Sequence, residues 1–311
     1  MKNTFKIFFA TDLHGSTICF KKLLATKEFY KVDYLFLGGD LSGKKITFLR
    51  KNRLGNYEIN NTNKLITSEK ELGNYLTNLE KQGIYFEILE GDNSELSEIE
   101  ILEIYKKKVC DRLKNWLELA EEKLGEQDKI IAIAGNDDSF KIDNILMQSS
   151  KVVLANLKLQ NIDGVFDMLG YCYSTPTPWD TAREKNENEI ERELGSVNYT
   201  KNFLPLILNF HIPPKGIGLD ATVALDKDLK PIMGSGGVQT INVGSKAVYN
   251  FVKKVKPSLG LFGHVHQAKG ISKIGNTICI NPGSVYYEGK LQGCVCTFAD
   301  NKLISWQLTE G

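Results

Sequence analysis

Residues 5–40 read FKIFFATDLHGSTICFKKLLATKEFYKVDYLFLGGD. Phe5 to Ala10 is aromatic and β-branched, Ile18 to Tyr30 is amphipathic, and Val32 to Leu37 is apolar again. That alternation predicts strand, helix, strand, a crossover that joins parallel strands. A carboxylate follows each strand, Asp12 after the first and Asp40 after the second. Parallel neighbours end on the same side, so both acids reach one edge of a sheet, where ligands sit in open α/β folds.

The same arrangement recurs downstream. Ile130 to Ala134 reads as a buried strand delivering Gly135-Asn136-Asp137-Asp138, Leu204 to Phe210 presents His211, and Leu259 to Phe262 precedes Gly263-His264-Val265-His266. Short strands are predicted at Lys151–Leu159 and Val165–Tyr173 around an Asn161-Ile162-Asp163-Gly164 turn, with three more between Thr277 and Leu308. Gly244 to Lys256 reads as a helix, Thr175 to Thr200 as a polar, mobile segment, and Gly234-Ser235-Gly236-Gly237 as a flexible loop. Between Asp40 and Gly135 lies a long excursion. It opens with a hairpin around Arg53-Leu54-Gly55-Asn56 and a helix from about Ser68 to Lys81. A longer helix follows, about Glu95 to Lys123, striped by Ile99, Leu102, Val109, Leu113, Trp116, Ala120 and Leu124. The stripe predicts one face packed on the core, the alternative being an interaction helix. No composition break marks a linker. The reading is a single α/β (α+β) domain over residues 1–311, two packed sheets with a largely helical excursion at about 41–127.

With 311 residues and 42% hydrophobic content, the chain can bury a large core. Its 39 Lys+Arg balance 38 Asp+Glu, so no overall charge draws it to nucleic acid, although a local basic patch is allowed. Asp12 interrupts the first apolar run before a signal-peptide core could form, and no run approaches the roughly 18 apolar residues of a membrane span. Six cysteines without a C-x-x-C fit reduced, buried thiols. A soluble, cytoplasmic protein is expected, and an oligomer is compatible with all of this.

All four histidines, His14, His211, His264 and His266, fall in the strand-end motifs. In extended backbone, residues i and i+2 share a side, so Asp12 and His14 would present oxygen and nitrogen donors together, and His264 and His266 would repeat that geometry. Asp40 can bridge two ions, Asn136 adds a carbonyl oxygen, and His211 adds an imidazole. Seven N and O donors suit divalent Mn, Fe, Ni or Zn, argue against a thiolate zinc site, and require two ions if all are used.

The motif order D-x-H, G-D, G-N-D-D, H and G-H-x-H resembles that of the calcineurin-like metallophosphoesterases, and Asn281-Pro282-Gly283-Ser284 also recurs in that family. Ser174-Thr175-Pro176-Thr177-Pro178-Trp179, Ala182-Arg183-Glu184, His211-Ile212-Pro213-Pro214 and Gly244-Ser245-Lys246 resemble a prokaryotic subgroup of phosphoesterases related to cyclic-nucleotide phosphodiesterases. The resemblance implies a four-layer sandwich of two mixed β-sheets flanked by helices. It also implies Asp12, His14, Asp40 and His266 around one ion and Asp40, Asn136, His211 and His264 around a second. Two ions about 3.5–4 Å apart would lower the pKa of a water between them and clamp phosphoryl oxygens for in-line attack on a small phosphomonoester or phosphodiester.

One departure stands out at position 137. Many members of the superfamily carry His after the G-N pair, where it orients substrate or protonates the leaving oxygen, and this chain has Asp137. An ionised Asp137 would repel phosphate and a protonated one could donate; simply facing solvent or capping the next helix is the other reading. Weak leaving-group protonation would favour activated esters such as aryl phosphodiesters. Asp138 is expected to support the ligands by hydrogen bonds. Arg183 and Lys215 could contact phosphate oxygens, or be solvated surface charges. Trp179 could stack on a base or aryl group, or anchor its loop as a core aromatic. Alternatives to a small-molecule phosphoesterase are a nuclease on the same centre, a non-catalytic scaffold of the same fold, and a single-metal oxidoreductase, which Asn136 and seven ligands fit poorly.

Overall fold

The computed structural model describes residues 4–60, 62, 64–90, 96–200, 202–234 and 236–311. Glu95, the expected start of the long helix, and Ser235 of the expected glycine loop lie outside them. Thr4–Ala10 and Tyr34–Gly38 are parallel neighbours with Phe8 opposite Leu35, and Ile130–Ile133 and Val152–Leu154 extend the parallel set. Antiparallel Gln292–Ala299 and Lys302–Glu310 complete a six-stranded sheet. A second six-stranded sheet runs Gly270–Ile274, Thr277–Asn281, Leu259–Phe262, Leu206–Phe210, Phe166–Tyr171, Gln160–Ile162, its four inner strands parallel and its outer two antiparallel.

Side-chain alternation packs these sheets face to face. In the second sheet Ile207 joins the core between the sheets, whereas Leu206, Leu208 and Phe210 turn to the opposite face. Phe5 stacks on Phe298 of its own sheet at 4.7 Å and on Phe166 of the other at 5.3 Å. Burying each such ring stabilises the fold by about 1.5–3 kcal/mol. Asn209 donates from Nδ2 to Leu37 O at 3.0 Å, a polar link between the layers close to the strand ends. Thr17–Phe29, Glu98–Lys123 and Lys141–Leu146 cover the first sheet, where Phe20 stacks on Trp116. Glu187–Gly195 and Lys246–Val255 cover the second through Ile190, Leu194, Val248, Phe251 and Val252. The result is the expected sandwich of helices, sheet, sheet and helices.

Three expectations need correction. The excursion holds its helices, Glu69–Lys81 and Glu98–Lys123, but also a four-stranded sheet, Leu65–Ile66, Tyr57–Ile59, Ile46–Lys51 and Tyr85–Glu90, with a small core of Leu49, Tyr57, Ile59, Ile66 and Leu72. Strands of two to six half-exposed residues carry little periodic signal. In the long helix only Val109, Leu113, Trp116 and Ala120 are buried, and Ile99 is 76% exposed, so its N-terminal turns leave the core. The polar segment after Thr175 contains the Glu187–Gly195 helix, begun by an Asn186/Glu189 capping box and anchored by Ile190 and Leu194. That N-x-x-E signal was present in the sequence.

Among the described residues, no helix is long and apolar enough to cross a membrane. The cysteines are unpaired, and all but Cys110 are buried.

Candidate metal centre

The seven candidate ligands converge from five loops, each following a parallel strand of one of the two sheets. They do so through backbone that side chains ordinarily avoid. Asp12, His14, Asp40 and His264 have φ of 56°, 40°, 49° and 67°, in the left-handed region. For residues other than glycine this costs about 1–3 kcal/mol each and persists where surrounding contacts enforce it. The extended D-x-H geometry expected from sequence is therefore wrong: the strand ends at Ala10, and the turn delivers Asp12 and His14. Nor do His264 and His266 act as a same-side pair. His264 Nδ1 lies 2.7 Å from Asn136 Oδ1, whereas His266 Nε2 lies 3.0 Å from His14 Nε2 and 3.3 Å from Asp12 Oδ1.

Two donor groups meet at Asp40. Its Oδ2 is 3.6 Å from His14 Nε2, and its Oδ1 is 3.4 Å from His211 Nε2. His211 Nε2 also lies 2.8 Å from Asn136 Oδ1. Ligand atoms of Asp12, His14, Asp40 and His266 all fall within 4.8 Å of one another, a set that could hold a metal ion. His211 Nδ1 faces Gly38 O at 2.8 Å and His14 Nδ1 faces Ser42 O at 3.3 Å, backbone contacts that leave each Nε2 directed inward.

The electrostatics match a cation-binding cluster. Burial alone would raise the Asp12 carboxyl, but His266, with His211 and His14, holds it well below the usual carboxylate range. Asp40 is pushed up to about 6 by burial, against the pull of His211, with repulsion from Asp137 and Asp12. Burial pulls His211 down, yet the Asp40 carboxylate outweighs it and lifts the imidazole to about 9. His264 falls to about 3 through burial and the charge of His211, and His14 falls well below its usual value through burial, Lys44 and His266. Buried carboxylates beside two imidazoles that shed their protons, His14 and His264, are donor chemistry a divalent ion completes, whereas His211 holds its proton through Asp40.

The surrounding shell is built to hold the turns. Asp138, fully buried, accepts from Leu41 N, Ser42 N and Gly135 N at 2.8–3.1 Å, so it supports the ligand loops through backbone rather than through an imidazole. Asn281 Nδ2 donates to Val265 O at 3.0 Å, and Ser284 Oγ donates to Asp12 O at 2.7 Å. The excursion clasps the first turns from outside: Arg112 Nη1 donates to Gly15 O at 2.7 Å, and Tyr105 OH to Gly43 O at 2.7 Å. Gly83 packs so closely that a Cβ would lie 1.9 Å from His14 O.

Arg183 is not a phosphate contact. It is 2% exposed, its Nε donates to Asp138 O at 2.8 Å, and its Nη2 donates to Ser139 O and to Asp143 Oδ1 at 2.7 Å. It staples the loop that carries Asn136 and Asp137. Lys215 is exposed and does not line the cleft over the ligands. Trp179 is 62% exposed and lines that cleft, so it is not a core anchor. Asp137 caps no helix; it sits at the cleft floor, its N donating to Asp40 Oδ1 at 3.0 Å.

Sequence reasoning missed two neighbours. Lys44 Nζ lies 2.6 Å from Asp137 Oδ2, an ion pair at the floor of the cleft. Burial lowers its affinity for the proton, but Asp137 and Asp40 more than compensate and raise it. Tyr286 packs its ring 4.7 Å from that of His14 and 5.9 Å from that of His266. Lys44, four residues after Asp40, carries no signal of its own; Tyr286 follows the Asn281-Pro282-Gly283-Ser284 motif by two positions and could have been flagged.

No protein-family model matches the chain. It is 30% identical over 171 residues, 53% of this chain and 70% of the other, to uncharacterized protein MJ1162 of Methanocaldococcus jannaschii. The chain belongs to that protein's family. One solved crystal structure aligns over 100% of this chain and 99% of its own at a TM-score of 0.60 and 18% identity, which shows a shared fold. Another, described as a novel archaeal phosphodiesterase, is 10% identical over 98% of this chain and 99% of its own, with a TM-score of 0.41.

Proposed function

We propose that this protein is a dinuclear metal-dependent phosphoesterase acting on small phosphomonoesters or phosphodiesters. The convergence of seven N and O donors on two sides of Asp40, four of them held at left-handed φ, carries the reading. Asp12, His14 and His266 with Asp40 would hold one ion, and Asn136, His211 and His264 with Asp40 a second, Asp40 bridging. Such ions, Mn, Fe, Ni or Zn, would activate water and neutralise phosphoryl charge.

The chain's own residues do the rest. Asp138, Arg183 and the Asn281–Ser284 turn fix the loops, so donors need not reorganise during reaction. Lys44, paired with Asp137 and lining the cleft, would offset the repulsion of that carboxylate on an incoming phosphate and offer its ammonium to a phosphoryl oxygen. Metal analysis of the purified protein, paired with Mn- or Ni-supplemented assays on phosphomonoesters, cyclic nucleotides and aryl diesters, tests the reading. Two ions bound with no turnover on the panel would point to a scaffold, and salt-sensitive binding of DNA or RNA to a nuclease.

A further inference from the structure

Above the ligands lies a cleft of about 760 Å³, the size that accommodates a whole drug-like molecule rather than a phosphoryl group alone. Its charges are segregated. Asp40, Lys44 and Asp137, with His264 and His266, lie at its floor, and among the described residues no other lining side chain is charged. Two separate segments supply its apolar lining: Pro176, Pro178 and Trp179 form one wall, and Val223, Leu225 and Ile241, in and beside the paired Ala221–Val223 and Thr240–Asn242 strands, form another. Trp179 is 62% and Ile241 48% exposed, large apolar faces turned to open space.

Both walls are fixed to the metal loops. Asn136 Nδ2 donates to Thr181 Oγ1 at 2.9 Å, and Glu184 accepts from the Thr181 hydroxyl at 2.6 Å and N–H at 2.9 Å. The same carboxylate accepts from the Thr177 hydroxyl at 2.6 Å and N–H at 3.0 Å, and Thr177 Oγ1 in turn accepts from Trp179 N. A continuous chain therefore runs from a candidate ligand to the tryptophan. In the other wall, Gln267 donates to Thr222 Oγ1, tying that wall to the His264–His266 turn. Thr175 Oγ1 donates to Val243 O at 3.1 Å and joins the walls at their base.

We propose, resting on the phosphoesterase reading, that the substrate is a phosphate ester carrying a flat, uncharged ring, held between Trp179 and the Val223–Ile241 wall while its phosphate meets the floor. Trp offers a broad face for stacking at small entropic cost, and the aliphatic wall closes the sandwich. A nucleobase and a simple aryl group share this chemistry. A sugar phosphate or a highly charged partner would leave the apolar walls unsatisfied.

The test uses the full chain loaded with Mn. Calorimetry compares methylphosphonate with phenylphosphonate, and kinetics, read as phosphate release, compares methyl phosphate, phenyl phosphate and thymidine 5′-phosphate. Phenylphosphonate is expected to bind at least about tenfold tighter and to quench tryptophan fluorescence, and the ring-bearing esters to show a lower KM. Trp179→Ala should collapse the phenyl-to-methyl ratio towards one, and Trp179→Phe should retain most of it. No ring preference, no binding of either phosphonate, or a ratio unchanged in Trp179→Ala overturns the proposal. Ring-selective binding without turnover of any ester would sink the enzymatic reading and leave the cleft assignment standing. Equal turnover across the series does the reverse. Phenyl against thymidine separates an aryl from a nucleobase occupant.

Discussion

Lys44→Ala is the sharpest perturbation of the proposed chemistry. It removes the ammonium 2.6 Å from Asp137 Oδ2 and leaves a carboxylate, 15% exposed, beside the phosphate site. At about 4 Å and an effective dielectric of about 40, a unit charge is worth about 2 kcal/mol. That equals roughly thirtyfold in rate, and the 44% exposure of Lys44 argues for discounting it towards tenfold. The expected result is a 10- to 30-fold fall in kcat/KM for p-nitrophenyl esters, larger for poorer leaving groups and smaller in high salt. Adding Asp137→Asn to Lys44→Ala should recover part of the loss, because the uncompensated charge is gone. A single variant within twofold of the parent, or a double variant no better than the single, refutes the assigned role of the pair.

Gly135→Ala would place a Cβ 2.2 Å from Asp40 Oδ1 and 2.7 Å from His211 Cε1, so metal content should drop, activity should fall about 100-fold, and melting should shift by the equivalent of about 1–3 kcal/mol. Metal analysis and thermal unfolding read the two effects separately. Arg183→Met should cost about 2–4 kcal/mol in urea unfolding by abandoning Asp143 and the Asp138 and Ser139 carbonyls, with little change in KM for the folded fraction; a selective rise in KM would restore it as a phosphate contact. Chelation should lower the melting temperature, since an ion at 100 times its dissociation constant stabilises the native state by about 2.7 kcal/mol per site. In the stripped protein His211 is raised to about 9 by Asp40, and Asp40 itself is pushed up to about 6, so the stability from that pair is present between these values, lost as pH rises through 9 and lost again as Asp40 takes up a proton below about 6. NMR titration and unfolding in Asp40→Asn, where this dependence should vanish, check the sign.

Much of the site was legible because each ligand sits directly after an apolar strand, and parallel strands deliver their ends to one edge. Asp12, Asp40, Asn136, His211, His264 and His266 need nothing more than that rule to be suspected. The backbone at those positions was not legible: left-handed φ at Asp12, His14, Asp40 and His264 arises from contacts such as Asp12 N to Gly39 O and His14 N to Asp40 O, made between separate loops. The small sheet of the excursion escaped for another reason, since strands such as Tyr57–Ile59 are too short to show a period.

By itself, the sequence determined where along the chain the ligand-bearing strands fall, the ligand types and the absence of a histidine at position 137. Tertiary structure alone decided that Lys44 meets Asp137, that Arg183 turns inward to its own loop, and that Trp179 lines one cleft together with Val223, Leu225 and Ile241. The physical reason is range. Periodicity and strand-end position are written in neighbouring residues, whereas a charge pair, a buried guanidinium or a cleft is defined by which distant loops pack together, and no local pattern encodes that.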